Sequence, residues 1–552
     1  MAGGRPAAGC CCFINNVRFP VLLLVTCSVA AMYSTILLFN LTSILDSEVE
    51  WRPVPGLDSL HGSSYKGFDR LKRELAELRK FLPKLSDTMN HKKMMRDIQF
   101  SHPLKNQRKI RKSTIVAQET FKGVTKPTSF RISRGLLYAA PGVGTFLGIF
   151  LSMLLSKRFG VRTFFGIFLA LAALLTIVFL FVQKTNYYLL LLVRFLQGVV
   201  FSGVFPVMGN ALVQWGPLKE QLIFLTTMLM FISVGPIVAW PVANYVHALE
   251  ADMDLVYYVQ AIILAFLCVI WSIFYRDRPQ THPWVSGVEL NRIVAGKVQE
   301  LQCNRAHSDS YSSLLKSLSA WSIWTSLFGL FSATAFFVTY LPSLLASPDV
   351  FFVQGLGIHG TIPFQLLPIS CAIFGSLNLM FKPSTKIIRI LNTVAFSIAA
   401  ILIVSIPFVA FLQTKPGLMS ILLLSMIPFG LAIVCGFARS LTVVGRVFAE
   451  QIVTMAAIPF GLAFAVVPLM VAFTVGENKL AEWTKVVMFV FFILAAAAVE
   501  FAVFGRGRSP SWSESSWDPL VASTKMQSLA LIDFNQDECG LYELRRIEPT
   551  KK

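Results

Sequence analysis

Long runs of apolar residues recur along the chain and are separated by short polar segments. A helix of about 20 apolar residues spans the hydrocarbon core of a bilayer. The pattern therefore predicts an all-α membrane protein with twelve transmembrane helices, six on each side of a polar stretch at 276–319. The predicted spans are 19–45, 135–156, 163–182, 187–212, 221–246, 255–275, 320–346, 361–381, 387–413, 416–437, 451–475 and 485–505.

Composition agrees with this pattern. The 552 residues are 55% hydrophobic and only 14% charged, and the mean hydropathy is +0.63. Such values are typical of a multi-spanning protein in a lipid bilayer rather than of a soluble enzyme. The predicted domains are a cytosolic N-terminus at 1–18, a six-helix half at 19–275, a central cytosolic loop at 276–319, a second six-helix half at 320–505 and a serine-rich, disordered tail at 506–552.

Lysine and arginine in the short loops predict the orientation. With the N-terminus in the cytosol, nine basic residues lie in short cytosolic loops and four lie in short outer loops. Because basic residues favour the cytosolic side, we expect both termini to be cytosolic. The membrane is expected to be the plasma membrane or a vesicular or lysosomal membrane.

One outer loop, at 47–134, is long and basic. It holds twenty Lys and Arg against nine Asp and Glu, which accounts for most of the formal net charge of +19. Long loops cross the membrane largely regardless of charge, so nucleic acid is not an expected partner. Apolar residues spaced by three or four predict an amphipathic helix at 66–82, which is either a docking helix or a solvated one.

A single arginine interrupts one apolar run. Arg194 lies within the run at 189–215, where a charge costs roughly 2.5–3.5 kcal/mol on insertion scales. Such a residue normally faces a partner or an aqueous path, so Arg194 is a candidate functional residue. The alternative is a structural cation that is bonded to main-chain carbonyl groups.

The sequence does not predict an enzyme. The seven histidines show no paired metal-ligand spacing, and no phosphate-binding Walker motif is present. We therefore expect neither a metal nor another cofactor.

Two polar motifs carry a resemblance to known families. Arg158, Gly160 and Arg162, after the second span, resemble the loop between helices two and three of the major facilitator superfamily, although Lys157 stands where an acid is expected. The exit from the sixth span is similar to that of solute carrier family 17, which contains phosphate cotransporters, sialin and vesicular glutamate transporters. The matching residues there are Tyr275, Pro279, His282, Pro283, Ser286 and Glu289.

This resemblance implies a fold, a mechanism and partners. It implies the major facilitator fold, with two pseudo-symmetric six-helix halves that rock about a midplane site. It also implies secondary active transport of a small anionic solute, an organic anion or phosphate, coupled to an ion such as a proton or sodium. In that family buried cations hold the anion.

The family's charged positions are only partly present. Arg194 matches the arginine of helix four, but Leu38 and Leu330 stand at two other arginine positions and Tyr138 stands near a histidine position. Phe201 replaces an acid seven residues after the arginine, so a proton cycle that uses this acid is not expected.

Five residues are the resulting candidates for substrate binding. Ser34, Tyr138 and Gln365 fall in helices that line the cavity in this family, although each is also explained by ordinary helix packing. The full set is Arg194, Tyr138, Ser34, Gln365 and Phe201. Two alternatives stay open: a transport-impaired receptor, accessory or scaffold protein that acts through its outer loop, and a carrier for neutral or cationic solutes.

Overall fold

The structure is a computed structural model, and the described residues are 16–45, 128–249, 252–294, 314–346, 361–380, 384–408, 424–476, 480–508, 532–536 and 542–546. Within them, eleven helices are long and apolar enough to cross a membrane. A shorter apolar helix, Phe364–Ser376, occurs where the eighth span is predicted. The predicted all-α fold with six spans in each half is confirmed. The predicted helix at 66–82 lies outside the described residues.

We number the spans 1 to 12 in chain order. In the first half they are Arg18–Leu45, Thr128–Phe159, Val161–Val182, Tyr187–Phe201 with Val204–Gln214, Gln221–Leu229 with Phe231–Ala248, and Asp254–Phe274. In the second half they are Leu318–Ala346, Ile362–Met380, Thr385–Ser405, Leu424–Gly445, Ala449–Met455 with Ala457–Thr474, and Leu480–Phe504. Between the halves lie a short 3₁₀ turn, Pro279–Thr281, and the helix Gly287–Val294.

We name the two ends of the helical bundle after residues at the two ends of span 1. The Arg18 end is the end at which span 1 begins, and the Asn40 end is the end at which it finishes. The Arg18 end is the predicted cytosolic side.

Small residues bring spans 2 and 4 into close contact. A Cβ atom added to Gly198 would lie 2.1 Å from the carbonyl oxygen of Pro141. The Thr145 hydroxyl donates to the carbonyl oxygen of Gly198 at 3.1 Å, and Ser152 and Ser202 share a hydrogen bond of 2.6 Å. Such packing is the usual way in which membrane helices approach each other, and it fixes span 4 against span 2.

Two span boundaries differ markedly from the sequence prediction. Span 2 begins at Thr128 instead of 135, so Arg134 is helical. Span 10 continues to Gly445 instead of 437, through a π-helical turn at Ala432–Phe437. The amide of Asn392 stabilises this turn, because its Oδ1 accepts the Phe437 N–H at 3.1 Å. The chain is kinked within this turn, because Gly436 has non-helical φ and ψ of −102° and −115°, and a helix continues beyond it.

The tail also differs from its prediction. Residues 506–552 are expected to be disordered, whereas the structure describes two antiparallel strands there, β1 (Ile532–Gln536) and β2 (Tyr542–Arg546). These two segments contain aromatic residues that favour strands, Phe534 and Tyr542, whereas the serine-rich part of the tail has a lower strand propensity.

Candidate functional site

Arg194 is fully buried between spans 1, 2 and 4. Its Nη2 donates to the carbonyl oxygen of Ile36 at 3.2 Å, and its Nε donates to that of Leu137 at 3.4 Å. Its Nη1 donates to Oε1 of Gln197 at 3.0 Å, one turn along the same helix. The guanidinium carbon also lies 4.8 Å from the centre of the Phe39 ring. Three of its five N–H groups are thus used within the described part of the chain.

Within the described part of the chain, no ion pair joins Arg194 to a carboxylate. Among the described residues, the ion pairs are Arg18 with Glu220 and Lys184 with Asp254, and neither involves Arg194. Carbonyl oxygens and an aromatic face stabilise a cation but leave its net charge in place. The surroundings of Arg194 are therefore net positive, as an anion requires.

A second arginine, Arg134, lies near the Asn40 end of span 2. Its Nε donates to the Tyr138 hydroxyl at 2.9 Å, and its Nη2 donates to the Ser43 carbonyl oxygen at 3.1 Å. The side chain is half-buried, and none of the described ion pairs includes it. Sequence reasoning missed Arg134 because it counted this residue with the outer loop; its spacing of four from Tyr138 was the available signal.

Tyr138 connects the two arginines to the second half. Its hydroxyl bonds to Arg134 and also to Ser43 Oγ at 2.8 Å. Its ring packs against Phe39, which covers Arg194. It also packs against Tyr340 of span 7, with 6.1 Å between the ring centroids. Tyr138 therefore lies where the two halves meet at the Asn40 end.

Phe201 lies further along span 4, in a group of seven aromatic side chains that we call the ring cluster. Spans 1, 4 and 5 of the first half and spans 7 and 11 of the second contribute to it. Its members are Tyr33, Phe201, Phe205, Phe231, Phe331, Phe460 and Phe464. The closest contact across the halves is between Phe201 and Phe460, with 4.9 Å between ring centroids.

The ring cluster is dry and closely packed. Each member is at most 2% exposed. The hydroxyl of Tyr33 is buried and has no hydrogen-bond partner among the described residues. On its Arg18 side lies a cavity of about 10 Å³, which is lined by apolar residues such as Met208, Leu229 and Phe437. The space between the halves thus holds at most about one water there.

The halves also touch at both ends of the bundle. At the Asn40 end, the amide of Asn40 donates to Thr339 Oγ1 at 3.5 Å. At the Arg18 end, the amide of Gln221 donates to the Arg446 carbonyl oxygen at 3.5 Å, and a Cβ on Gly209 would lie 2.7 Å from the carbonyl oxygen of Glu450. The described parts of the two halves are therefore in contact at both ends.

The structure brings four of the five predicted site residues together. Three of them lie where span 1 packs against spans 2 and 4: Arg194, Tyr138 and Phe201. The fourth, Ser34, is next to Tyr33 of the ring cluster in the sequence. The Ser34 hydroxyl donates to the carbonyl oxygens of Ala30 at 2.8 Å and Gly235 at 3.3 Å. Gln365 is separate, because its side chain is exposed on span 8.

At the Arg18 end, Asp277 supplies the acid that the loop after span 2 lacks. Its Oδ1 accepts the Arg162 N–H at 2.6 Å, in the first turn of span 3. Gly160 allows this approach, because its φ is +76° and a Cβ would lie 2.6 Å from Asp277 Oδ2. Burial raises the pKa of this carboxyl above its ordinary value, against the lowering effect of the bond from Arg162.

No metal site is evident in the described ranges. No group of three or more His, Cys, Asp or Glu residues is placed there to hold a metal ion. The chemistry of the described centre consists of buried cations, hydroxyl groups and aromatic rings.

Comparisons with known proteins agree on fold and kind. The family description "Major Facilitator Superfamily" matches residues 128–458. The chain is 21% identical to the mouse "Sodium-dependent phosphate transport protein 3" over 69% of this chain and 80% of that protein. It is 22% identical to the human "Probable small intestine urate exporter" over 69% and 77%. It is also 22% identical to the Caenorhabditis elegans "Uncharacterized transporter slc-17.2" over 65% and 74%.

Solved structures share the fold at low sequence identity. A crystal structure of a D-xylose-proton symporter aligns with a TM-score of 0.54 and 13% identity, covering 89% of this chain and 99% of that one. An inward-facing, unoccupied bacterial homologue of the human lysosomal transporter Spinster aligns with a TM-score of 0.54 and 12% identity, covering 94% and 100%.

Proposed function

Because this chain belongs to the Major Facilitator Superfamily, we propose that it is a secondary active transporter that carries a small organic anion or phosphate by alternating access. The observation that carries this proposal is the uncompensated charge of Arg194. A buried cation without a carboxylate partner is costly, and an anionic solute supplies the missing charge. The names of its relatives, which refer to phosphate and urate, support an anion.

The two arginines define an order of contact. Arg134 is half-buried near the Asn40 end and meets an incoming anion first. Arg194 is fully buried, and its two remaining N–H groups bind the anion when the halves part. Ser43 and Tyr138 lie beside Arg134, and their hydroxyl groups can donate hydrogen bonds to an anion.

The contacts between the halves support alternating access. Closed contacts at both ends correspond to an occluded state between an inward and an outward opening. Because these hydrogen bonds are long and few among the described residues, either end can open at small cost. The coupling ion is a proton or sodium. We favour sodium, because the side chain of Phe201 cannot bind and release a proton and because a relative is named as sodium-dependent.

The proposed orientation has both termini in the cytosol, in the plasma membrane or a vesicular or lysosomal membrane. Basic residues of the short loops, such as Lys157 and Arg158, then lie on the cytosolic side with the Arg18 end. Protease accessibility of tags at both termini in sealed cells tests this orientation: cleavage of either tag from outside contradicts it.

Uptake into proteoliposomes tests the role of Arg194. Radiolabelled phosphate and urate are offered to the native chain, to Arg194→Gln and to Arg194→Lys, with Arg158→Gln as a matched control at an exposed arginine. We expect Arg194→Gln to lose at least about tenfold of the uptake rate, since roughly 1.4 kcal/mol of lost anion contact gives that factor. Arg194→Lys keeps the charge and should retain more transport. Unchanged uptake in Arg194→Gln overturns the assigned role.

The ring cluster favours a second candidate function. Seven packed aromatic rings occupy the space between the halves, so a transport-impaired receptor, accessory or scaffold protein is the alternative. In that case residues 50–128 of the outer loop carry the function. Deleting them should abolish the cellular function while solute flux stays undetectable with or without the loop; measurable flux in the shortened chain rejects this alternative.

A further inference from the structure

We propose that a group of basic side chains at the Arg18 end of the second half binds a membrane phospholipid whose headgroup carries several phosphates. The group, which we call the basic cluster, comes from the first turns of span 9, the last turns of span 10 and the segment that follows span 12. Its members are Lys386, Arg389, Arg439, Arg506 and Arg508. The surface is separate from the centre of the bundle, and its ligand does not depend on which solute is transported.

Side chains from two spans hold the segment after span 12 in place. The Nε of Arg389 donates to the carbonyl oxygen of Gly505 at 2.5 Å. The hydroxyl of Ser440 donates to the carbonyl oxygen of Arg506 at 2.5 Å. Because these two carbonyl groups are consecutive in the chain, spans 9 and 10 meet the segment at one place. Arg439 precedes Ser440 and is brought to the same place.

A glycine brings the same segment against the start of span 9. A Cβ added to Gly507 would lie 3.0 Å from the Cα of Thr385, so this close approach requires a glycine. Lys386 follows Thr385 and is exposed, as are the side chains of Arg506 and Arg508 on either side of the glycine. The segment is thus fixed through its main chain, and the charged groups of its two arginines stay available to a ligand.

The positive charge of the basic cluster is not paired within the described part of the chain. The ion pairs described there include none of its members. Glu500, the acid that precedes the segment in span 12, hydrogen-bonds to the hydroxyl of Thr325 instead. Arginine stays charged and pairs with phosphate oxygens through two parallel N–H groups. The cluster therefore offers what a phosphate-bearing headgroup requires.

The first half shows what the corresponding place contains when a carboxylate is present. The two halves of this fold are related by a parallel repeat, so spans 3 and 6 correspond to spans 9 and 12. The segment 275–278 after span 6 reads Tyr-Arg-Asp-Arg, and its Asp277 accepts the Arg162 N–H at 2.6 Å in the first turn of span 3. The segment 505–508 after span 12 reads Gly-Arg-Gly-Arg. The second half thus keeps the contact between these spans and lacks the acid in this segment.

Apolar side chains beside the basic cluster favour a lipid over a soluble anion. Spans 9 and 12 pack together, and the hydroxyl of Thr393 donates to the carbonyl oxygen of Ala498 at 3.3 Å. Close to the cluster, Ile387 and Ile390 of span 9 and Val503 of span 12 are exposed. In a bilayer such side chains face acyl chains. A phospholipid covers this apolar surface with its acyl chains while its headgroup binds the cluster, whereas free phosphate gains nothing from it.

The number of charges favours a headgroup with several phosphates. A headgroup with a single negative charge would leave most of the five cations unpaired. The Arg18 end is the proposed cytosolic side, and the cytosolic leaflet carries the anionic phosphatidylserine and phosphoinositide lipids. Clusters of about four to eight basic residues beside a transmembrane helix are typical of sites for such headgroups. Basic residues also set the orientation of a span, but that effect does not require a cluster held together by main-chain contacts.

Five probes separate the lipid from its headgroup and from other anions. The purified full-length chain in neutral detergent is titrated with dioctanoyl phosphatidylinositol bisphosphate, dioctanoyl phosphatidylserine, dioctanoyl phosphatidylcholine, inositol trisphosphate and a polyglutamate peptide, and the affinities are measured. We expect the phosphoinositide to bind at least about tenfold more tightly than each of the other four.

Each other result overturns a stated part of the proposal. Equal affinity for phosphatidylserine overturns the need for several phosphates, and equal affinity for phosphatidylcholine overturns recognition of charge. Inositol trisphosphate that binds as tightly as the phosphoinositide assigns the cluster to a soluble phosphate, and tighter binding of the peptide assigns it to an acidic protein. Both of these results overturn the lipid site.

Two exposed arginines test the residues, with two exposed arginines of the first half as a matched control. Arg506→Gln combined with Arg508→Gln should weaken phosphoinositide binding at least about tenfold. The corresponding double lysine variant keeps the charge and should retain part of the affinity. Arg158→Gln combined with Arg278→Gln removes the same charge at the same end of the bundle and should leave the affinity unchanged.

Thermal unfolding shows that the variants are folded. Arg506 contributes its main-chain carbonyl group to the fold while its side chain is exposed, so without lipid the double glutamine variant should unfold at the native midpoint. Added phosphoinositide should raise the midpoint of the native chain more than that of the variant. A folded double glutamine variant that binds the phosphoinositide with native affinity overturns the basic cluster as its site.

Discussion

The contacts inside the first half differ in chemistry from the contacts between the halves. At the Arg18 end of the first half, the Tyr275 hydroxyl donates to Asn210 Oδ1 at 3.0 Å and the Trp215 indole donates to the Arg276 carbonyl oxygen at 3.0 Å. Between the halves, the side-chain hydrogen bonds of Asn40 and Gln221 are both longer, at 3.5 Å. At the centre of the bundle, the contact between the halves is apolar and aromatic.

This difference explains how such a chain can move. Short hydrogen bonds hold their donors and acceptors at fixed distances, so the first half is kept as a unit. Packed rings have no directional bond to break, and their separation costs mainly the exposure of apolar surface. Halves that are held internally by short hydrogen bonds, with a central aromatic contact between them, fit rocking about a midplane.

The largest expected effect comes from placing a charge in the ring cluster. Phe201→Glu buries a carboxylate beside the rings of Phe460 and Phe231. We expect a loss of at least about 3 kcal/mol of stability, because burying a poorly bonded polar group is costly. The midpoint of thermal unfolding measures this loss.

Phe201→Leu is the control for that change. It keeps an apolar side chain at the same position and should cost much less. If the glutamate and leucine variants unfold at the same temperature, the contact between the halves is hydrated. It would then not be the apolar contact that distinguishes it from the hydrogen-bonded first half.

A smaller effect should distinguish the two kinds of hydrogen bond directly. Tyr275→Phe removes a bond of 3.0 Å inside the first half and should cost about 1 kcal/mol. Thr339→Val removes a bond of 3.5 Å between the halves and should change stability by less than about 0.5 kcal/mol. Both variants conserve shape, so their thermal unfolding can be compared; an equal loss would show that the halves are bonded as firmly as the first half itself.

Local pattern was enough to predict the fold and to find Arg194. Apolar length specifies a span, and a charge within it stands out because of its cost. The resemblance to solute carrier family 17 is confirmed by the names of the relatives.

The ring cluster could not be predicted, although the sequence flagged Phe201 as an apolar replacement for an acid. Its partners Tyr33, Phe231, Phe331 and Phe460 lie in four other spans. Phenylalanine is common in membrane helices, so no local signal separates a ring at the centre from one that faces lipid. Phe266 is such an exposed ring. Only the packing of the two halves makes the distinction.

The smallest effect concerns pH and His282, at the Arg18 end of the first half. Its Nε2–H donates to the Phe274 carbonyl oxygen at 3.1 Å, and its Nδ1 accepts the Trp284 N–H at 3.3 Å. Burial lowers the pKa of this imidazole from its ordinary value near 6.5, and Arg276 lowers it further, against the raising effects of the bond to Phe274 and of Glu289. The unfolded chain therefore binds a proton before the folded one does.

Stability should consequently fall as the pH decreases through 6.5 towards the lower pKa of folded His282, and should be fully present above that range. Protonation of Nδ1 also removes the acceptor of the Trp284 N–H. His282→Gln should flatten this part of the profile, measured as the midpoint of thermal unfolding between about pH 7.5 and pH 5.5. Thr339→Val should leave the same slope unchanged, because Thr339 bonds to the amide of Asn40, which does not titrate in this range. If the slope persists in His282→Gln, another group titrates in this range. His282 then no longer distinguishes the first half from the contact between the halves.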